Sequence, residues 1–327
     1  MCRQTARKTG DTVLEVKNLS VAYGTKQVVD NISFRVNDGE TVSIVGESGS
    51  GKSTILRAIL GLMGQEGRIL DGSITFDEVE LPSLKPEQMR KYRGAVIATV
   101  HQQAGLSMDP ITKIGKQFHE AIRTKEKITR QESDNRAAAC MKALSIKEPE
   151  RILNTYPVML SGGTNQRVAL AMAMVMEPKL ILADEPTSAL DVTVQVEVVE
   201  AMKELKQQCD AAILMVTHNI GVVAQMTDHV GVMYNGNMVE WGTKDQILSA
   251  PAHPYTVNLM SSILRMDGKL PQVKTILREK AAQGCVFYAR CPKACDQCRC
   301  AKPEMRTVED GHMVMCHLAE KEAGNIG

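Results

Sequence analysis

The sequence has almost no net charge, no long apolar run and no apolar leader, and each absence excludes a class of protein. Its 39 Lys and Arg residues nearly balance its 38 Asp and Glu residues, and a net charge of +1 favours neither nucleic acid nor an anionic membrane as a partner. The apolar run 169–176 is among the longest, far below the ~20 residues that span a bilayer. Residues 1–11 hold no apolar core, so we expect no signal peptide.

Cysteine is sparse over the first 280 residues and dense after them. Cys2, Cys140 and Cys209 are scattered, and the simplest interpretation is that they are small buried or half-buried apolar residues. The other six cysteines are Cys285, Cys291, Cys295, Cys298, Cys300 and Cys316. Because no secretory signal is expected, this cluster favours metal or iron–sulfur ligation over disulfides.

The hydrophobic pattern predicts an α/β fold. Residues 12–45 alternate as strands do, whereas 130–146 places its apolar residues on one helical face. The short apolar runs in 178–186 and 211–218 are typical of buried parallel strands. Asn235-Gly236, between two short alternating segments, predicts a β-hairpin.

The chain is long enough for about two domains. The stretch 250–256 is rich in proline and interrupts the pattern, so it predicts a boundary. We expect one domain over 1–250 and an appended segment over 251–327.

A phosphate-binding loop is predicted where "GESGSGKS" follows the apolar strand "TVSIV" and opens a helix. Glycines let backbone N–H groups surround phosphates, the lysine reaches the β- and γ-phosphates, and the serine hydroxyl binds Mg²⁺. The alternative is a glycine-rich turn that matches the motif by chance. For a chain of this length, such a match is expected on the order of once in a hundred chains. The predicted nucleotide-binding residues are Gly46, Ser48, Gly49, Gly51, Lys52, Ser53 and Thr54.

Two acids follow the apolar strand in "LILADEP". Asp184 ends the strand, where a carboxylate can hold Mg²⁺. Glu185 beside it is placed to polarise an attacking water. Such a pair alone is usually a solvated strand end, but downstream of a phosphate-binding loop it indicates an ATPase.

Three further motifs complete a resemblance to the ATP-binding-cassette (ABC) ATPases over 12 to about 265: "LSGGTNQRV", "SALD" and "VTHN". The wording "EPTSALDVTVQ" and "HPYT" is similar to the subunits that power dipeptide and oligopeptide transporters. The resemblance implies a P-loop NTPase cassette with a RecA-like core, an antiparallel β subdomain and a helical subdomain at about 88–165. A small Cys-rich extension would follow the cassette.

The resemblance also implies roles for residues outside the phosphate-binding loop. These are Tyr23 on adenine, Ser161, Gly162 and Gly163 on the nucleotide of a second cassette, His218 on the γ-phosphate and Asp191 in inter-cassette coupling. Each of three residues also has an alternative that is purely structural. Tyr23 would be an ordinary strand residue, and His218 a strand-end histidine whose hydrogen bonds are satisfied. Asp191 would be a helix cap.

A glutamine that contacts Mg²⁺ and signals to the membrane partner is also implied. The family pattern F-Q-D-P…L-N-P corresponds here to "VHQQAGLSMDP". Counting back from Pro110 assigns the role to Gln102, with Gln103 as its neighbour. Together with Ser53 and Asp184, Gln102 forms the predicted Mg²⁺ set.

The cysteine cluster is similar to the C-terminal pattern of the peptide-transporter ATPases, with "CP" at the second and "CH" at the last position. The resemblance implies a [4Fe–4S] cluster on Cys285, Cys291, Cys298 and Cys316. Cys295 and Cys300 are additional, and Cys295-x2-Cys298 also has zinc-like spacing. Zn²⁺ is therefore the alternative occupant, and reduced free thiols are the remaining alternative.

The expected function is ATP binding and hydrolysis, with Glu185, His218 and Lys52 as catalytic residues, in an importer of di- or oligopeptides. Expected partners are a second cassette, as a paralogue in a heterodimer, two transmembrane permease subunits and an extracytoplasmic solute-binding protein. The chain would sit peripherally on the cytoplasmic face of the membrane. Alternatives are an ATPase for a nickel or metallophore importer, or a soluble ABC ATPase not coupled to transport.

Overall fold

The computed structural model describes residues 11–102, 107–188, 191–261, 279, 281 and 283–319. The expectations for residues 1–10, for Gln103 and for the Ala-Leu pair of "SALD" lie outside these residues. No helix in the described ranges is long and apolar enough to cross a membrane.

Twelve strands are described, in two sheets. They are β1 Thr12–Tyr23, β2 Lys26–Asn37, β3 Thr41–Gly46, β4 Gly67–Phe76, β5 Val79–Glu80, β6 Ile97–Val100, β7 Leu180–Asp184, β8 Ala212–Thr217, β9 His229–Tyr234, β10 Asn237–Thr243, β11 Arg306–Glu309 and β12 His312–Val314. An antiparallel sheet has the order β2-β1-β4-β5, and a mixed sheet has the order β11-β12-β10-β9-β3-β8-β7-β6.

Helices connect and cover these strands. The described α-helices are α1 Lys52–Leu60, α2 Pro86–Tyr92, α3 Ile114–Arg123, α4 Arg130–Ala143, α5 Pro149–Leu153, α6 Gly162–Met174, α7 Val192–Cys209, α8 Ile220–Met226, α9 Lys244–Ser249, α10 Pro254–Ser261 and α11 Asp296–Cys300. Helix α4 confirms the helical face predicted in 130–146, and Thr129 caps its first turn.

The eight-stranded sheet separates two apolar cores, because successive side chains of a strand point to opposite faces. On β7, Leu180 and Leu182 pack into the core that holds α1 and the antiparallel sheet. Ile181 and Ala183 pack into the core formed with helices α3, α4, α6 and α7. Helices α1 and α6 therefore lie on opposite faces of the sheet.

Strands β6, β7, β8, β3 and β9 are parallel, which confirms the buried parallel strands predicted in 178–186 and 211–218. The predicted hairpin is also confirmed: Asn235 and Gly236 join β9 to β10, and both have positive φ, 46° and 83°. Strand β6 falls inside the range predicted for the helical subdomain but belongs to the central sheet.

The segment after residue 250 continues the cassette sheet. Strand β12 pairs antiparallel with β10, and β11 pairs with β12 at the sheet edge. Phe287 and Cys291 pack with Val230 and Val232 of β9 in a third core. Burial of a side chain such as Phe287, which is 1% exposed, stabilises this attachment by about 1.5–3 kcal/mol.

Candidate nucleotide-binding site

The phosphate-binding loop leaves the end of β3 and enters α1, as its motif predicted. Gly46 has φ 154°, and a Cβ atom there would lie 2.1 Å from the carbonyl oxygen of Met233 on β9. Gly51, with φ 102°, precedes the first residue of α1. No side chain fits at Gly46, so glycine is needed for the backbone of the loop to pass close to β9.

The Lys52 side chain folds back over the loop. Its Nζ donates to the carbonyl oxygens of Gly46 at 2.8 Å and Glu47 at 2.9 Å, and the side chain is buried. Burial lowers the pKa of Lys52, and the carboxylates of Glu185, Asp184 and Glu47 oppose that effect. A phosphate can replace the two carbonyl oxygens as acceptor, so Lys52 is held where nucleotide would arrive.

Two of the three predicted Mg²⁺ ligands are in direct contact. Ser53 Oγ donates a 2.8 Å hydrogen bond to Asp184 Oδ1, which joins the start of α1 to the end of β7. Hydroxyl and carboxylate oxygens are donors that Mg²⁺ prefers, so these residues fit that ion. Gln102 and Asp184 line the same cavity, which has a volume of about 900 Å³.

Glu185 and His218, both predicted to be catalytic, contact each other. Glu185 has φ 50°, and its backbone N–H donates to the Val216 carbonyl at 2.8 Å. Its Oε1 lies 2.8 Å from His218 Nδ1, and its Oε2 accepts from the Thr217 hydroxyl at 3.3 Å. The Glu185 side chain is 15% exposed and that of His218 64%. The site therefore holds a nearly buried carboxylate oriented by an exposed imidazole.

The motif Ser161-Gly162-Gly163 begins helix α6. Ser161 Oγ accepts the backbone N–H of Thr164 at 3.3 Å, so Ser161 is an N-cap. A Cβ atom on Gly163 would lie 2.5 Å from Val194 Cγ1, so glycine is needed for the close approach of α6 and α7. In the described hydrogen bonds, the Ser161 side chain contacts only Thr164, and Lys52 Nζ contacts only Gly46 and Glu47, so none of them joins this motif to the Lys52 side chain.

Tyr23 and Asp191 occupy ordinary structural positions. Tyr23 ends β1 with a half-buried side chain, between Lys26 on β2 and Gly67 on β4. Asp191 Oδ1 accepts the backbone N–H of Val194 at 3.0 Å and caps α7. The helix-cap alternative for Asp191 is thus observed, and the roles in adenine binding and inter-cassette coupling stay predictions.

Sequence reasoning missed a buried cluster next to the site. Glu240 accepts hydrogen bonds from the backbone N–H of His253 and contacts His312 Nε2 at 2.7 Å. His253 Nδ1 accepts the N–H of Tyr255 at 3.0 Å. Burial lowers the pKa of His253 to about 4. The motif "HPYT" marked this segment by resemblance only, since the contacts of Glu240 with His253 and His312 span 13 and 72 positions.

The four cysteines predicted to bind a cluster are all buried and unbridged. The Cys285 N–H donates to the Cys298 carbonyl at 2.8 Å, and Cys298 Sγ lies 3.5 Å from Cys295 Sγ. Burial raises the pKa of Cys285, and that of Cys298 to about 11. Within the described residues, no three His, Cys, Asp or Glu side chains are placed to hold a metal ion. The geometry therefore does not support the predicted [4Fe–4S] cluster, although the donor chemistry suits one.

Two family models match the sequence. One, described as "ABC transporter", matches residues 29–188. The other, described as "Oligopeptide/dipeptide transporter, C-terminal region", matches residues 239–298, which spans the β10 strand and part of the Cys-rich segment.

Full-length relatives and solved structures agree with these matches. The oligopeptide transport ATP-binding protein AppD of Bacillus subtilis is 39% identical over 95% of this chain and 98% of that protein. The dipeptide transport ATP-binding protein DppD of Haemophilus influenzae is 38% identical over 96% of this chain and 97% of that protein. The ATP-binding cassette MJ0796, in a post-hydrolysis dimer with ADP and Pi, superimposes with TM-score 0.62 at 28% identity, over 71% of this chain and 98% of that one.

Proposed function

This chain belongs to the family of ABC transporter ATP-binding proteins, and from this premise we propose that it powers an importer of di- or oligopeptides. The chain is an ABC ATPase with the cassette fold. The observation that carries the peptide proposal is the similarity to AppD over nearly the full length of both proteins. Relatives named for dipeptide and oligopeptide transport favour peptides over the nickel alternative.

The residues around the phosphate-binding loop suit phosphoryl transfer to water. Lys52 and the start of α1 supply positive charge for the β- and γ-phosphates. Ser53 and Asp184 would hold Mg²⁺, which supplies charge compensation on the phosphate oxygens. Glu185 orients the attacking water as a hydrogen-bond acceptor, and His218 fixes the Glu185 carboxylate.

A second cassette completes this site in the proposal. The supporting observation is that Ser161 caps α6, which begins with Gly162 and Gly163, and that no described hydrogen bond joins this helix start to Lys52. In a head-to-tail pair these residues would reach the nucleotide of the partner, and the helix N-terminus would favour its negative charge. We propose a paralogue as the partner, with Asp191 and Tyr23 in the roles that the family resemblance implies.

The remaining partners follow from family membership. Two permease subunits and an extracytoplasmic solute-binding protein would complete the importer, with this chain peripheral on the cytoplasmic face of the membrane. Gln102, which lines a cavity with Asp184, would report the occupancy of the site to a permease.

The function is tested in the assembled importer. The chain is co-purified with two permease subunits and a second cassette and placed in proteoliposomes with a solute-binding protein. We expect a dipeptide or oligopeptide mixture to stimulate ATP hydrolysis and to accumulate inside, and a Lys52→Ala complex to do neither. Stimulation by a nickel chelate and none by peptides would overturn the peptide assignment and favour the metallophore alternative.

The Cys-rich extension is proposed to bind metal through Cys285, Cys291, Cys298 and Cys316, with [4Fe–4S] ahead of Zn²⁺. Support comes from the donor set: four buried thiols on a short segment that has little core of its own. The test is iron, sulfide and zinc analysis of anaerobically purified protein with its visible absorption spectrum. Finding neither metal at stoichiometric amounts would overturn the proposal.

A further inference from the structure

Glu47, the second residue of the phosphate-binding loop, is held on three sides. Its backbone N–H donates to the phenol oxygen of Tyr255 at 3.0 Å. Its carboxylate Oε2 pairs with Arg290 Nη1 at 2.9 Å. Its carbonyl oxygen accepts Lys52 Nζ at 2.9 Å. Glu47, whose carbonyl oxygen contacts Lys52, is thus held by two residues from beyond residue 250: Tyr255 at its backbone and Arg290 at its carboxylate.

Tyr255 and Arg290 are themselves fixed by an aromatic cluster. Tyr255 is 2% exposed, and its ring centroid lies 4.7 Å from that of Tyr234 and 5.5 Å from that of Phe287. The Arg290 guanidinium lies over the rings of Tyr234 and Phe287, at 5.8 and 6.0 Å from their centroids. Both side chains therefore reach Glu47 from a rigid base.

Arg290 is also tied to the thiol-bearing segment. It ends a short 3-10 turn, Tyr288–Arg290, that lies between two buried cysteines. The N–H of Tyr288 donates to the Cys285 carbonyl at 3.0 Å, and the N–H of Cys291 donates to the Tyr288 carbonyl at 3.3 Å. The backbone of the turn that contains Arg290 is therefore hydrogen-bonded to the backbone of Cys285 and Cys291.

We infer that Tyr255 and Arg290 are positioning residues for the phosphate-binding loop, and that this cassette needs its C-terminal extension to bind nucleotide at full affinity. They act through Glu47, whose peptide orientation sets where Lys52 lies. The inference deepens the proposed function and rests on ATP binding at Lys52. Neither side chain touches Glu185 or His218 in the described contacts, so the effect belongs to binding and not to the chemical step.

The size of the effect follows from exposure. The Arg290 and Glu47 side chains are 42% and 46% exposed, and such ion pairs contribute little because solvent screens them. We expect Arg290→Met to raise the KM for MgATP by about two- to fivefold with kcat within about twofold of wild type. Methionine keeps the apolar stem against the rings, and Arg290→Lys should recover part of the loss. Tyr255→Phe, which deletes the hydroxyl alone, should raise the KM by about two- to tenfold.

The chain offers a matched control. Lys302 Nζ pairs with Asp30 Oδ2 on β2 at 2.6 Å, with side chains 37% and 41% exposed, so it also links the extension to the cassette. Lys302→Met removes an ion pair of similar exposure that does not contact the phosphate-binding loop. We expect its KM and kcat to equal those of wild type.

A double-mutant cycle distinguishes positioning through Glu47 from a general loss of structure. MgATP titrations and steady-state kinetics are run on the full-length chain for wild type, Arg290→Met, Glu47→Gln and the double variant. The expected result is that Arg290→Met raises the KM more in the wild-type background than in the Glu47→Gln background, where Arg290 meets only a neutral acceptor. Equal losses in both backgrounds, or an equal loss in Lys302→Met, would overturn the inference.

The outcomes also separate this inference from the proposed function. A wild-type chain that fails to bind MgATP would refute the function itself. A wild-type chain that binds MgATP, with Arg290→Met and Tyr255→Phe binding equally well, would refute only the positioning role.

Discussion

Replacing Glu185 by Gln should stop turnover while leaving MgATP binding intact. Glutamine has the size of glutamate and can keep the native partners: its carbonyl can accept from Thr217, and its amide can donate to His218 Nδ1. The substitution should therefore leave the folded structure unchanged. It removes a carboxylate that acts as a hydrogen-bond acceptor for water, and a positioned base typically contributes about 10²–10⁴-fold to the rate.

The structure also bears on binding in this variant. Glu185 is one of three carboxylates that favour the charged form of Lys52, and Asp184 and Glu47 remain after the change. Loss of one negative charge near the phosphates lowers repulsion of an anionic ligand, so the MgATP affinity should equal or exceed that of wild type.

The assay pairs phosphate release with a fluorescent-nucleotide titration on the same preparation. We expect kcat to fall by about 10²–10⁴-fold, which corresponds to ~3–5 kcal/mol in activation free energy. In the presence of the second cassette, ATP should trap the closed pair on size exclusion. Near-normal phosphate release from Glu185→Gln would refute the role assigned here to Glu185.

Three further predictions use other residues. Lys52→Ala should abolish detectable MgATP binding because Nζ is the cation over the loop, and unchanged affinity in a titration would contradict this. Gly46→Ala should lower the unfolding free energy by about 2–3 kcal/mol, since its Cβ would overlap the Met233 carbonyl. Gly49→Ala is the control and should lower the unfolding free energy less, because no atom lies within 4 Å of a Cβ there. Equal melting temperatures for the two variants would argue against the overlap. His253 has its pKa lowered by burial from 6.5 to about 4, so the unfolded chain binds a proton that the native chain excludes. Stability should fall as pH drops through that range, by about 2 kcal/mol from pH 7 to 5, and His253→Asn should flatten the profile.

Local pattern predicted the parts of the site that lie close together in sequence. The glycine spacing located the turn between β3 and α1, and the apolar run ending in Asp184 located a parallel strand. The Asn235-Gly236 turn was readable for the same reason, because two adjacent residues with positive φ favour those residue types. Ser53 and Asp184 were assigned together only through their motif roles, and their contact spans 131 positions.

The contacts at Glu47 could not be predicted, because they join residues 208 and 243 positions apart. No hydrophobic periodicity or turn dipeptide in the sequence identifies an arginine as the partner of a distant loop. Arg290 is oriented only once the aromatic cluster has packed. The β11–β12 hairpin, by contrast, has a local turn signal in the sequence. Asp310-Gly311 lies between two short alternating segments, with Glu309 opposite His312.

The β11–β12 hairpin protects the β10 edge of the sheet from pairing with another molecule, which favours solubility. Strand β10 would otherwise end the sheet with an open row of backbone N–H and C=O groups, which can pair with the same strand of another molecule. β12 pairs with Glu240 and Trp241 in that row, and the strand left outermost, β11, is only four residues long and carries Arg306 and Glu309. A chain truncated before residue 306 should therefore self-associate at the β10 edge in a concentration-dependent manner, even where its ATP site is intact.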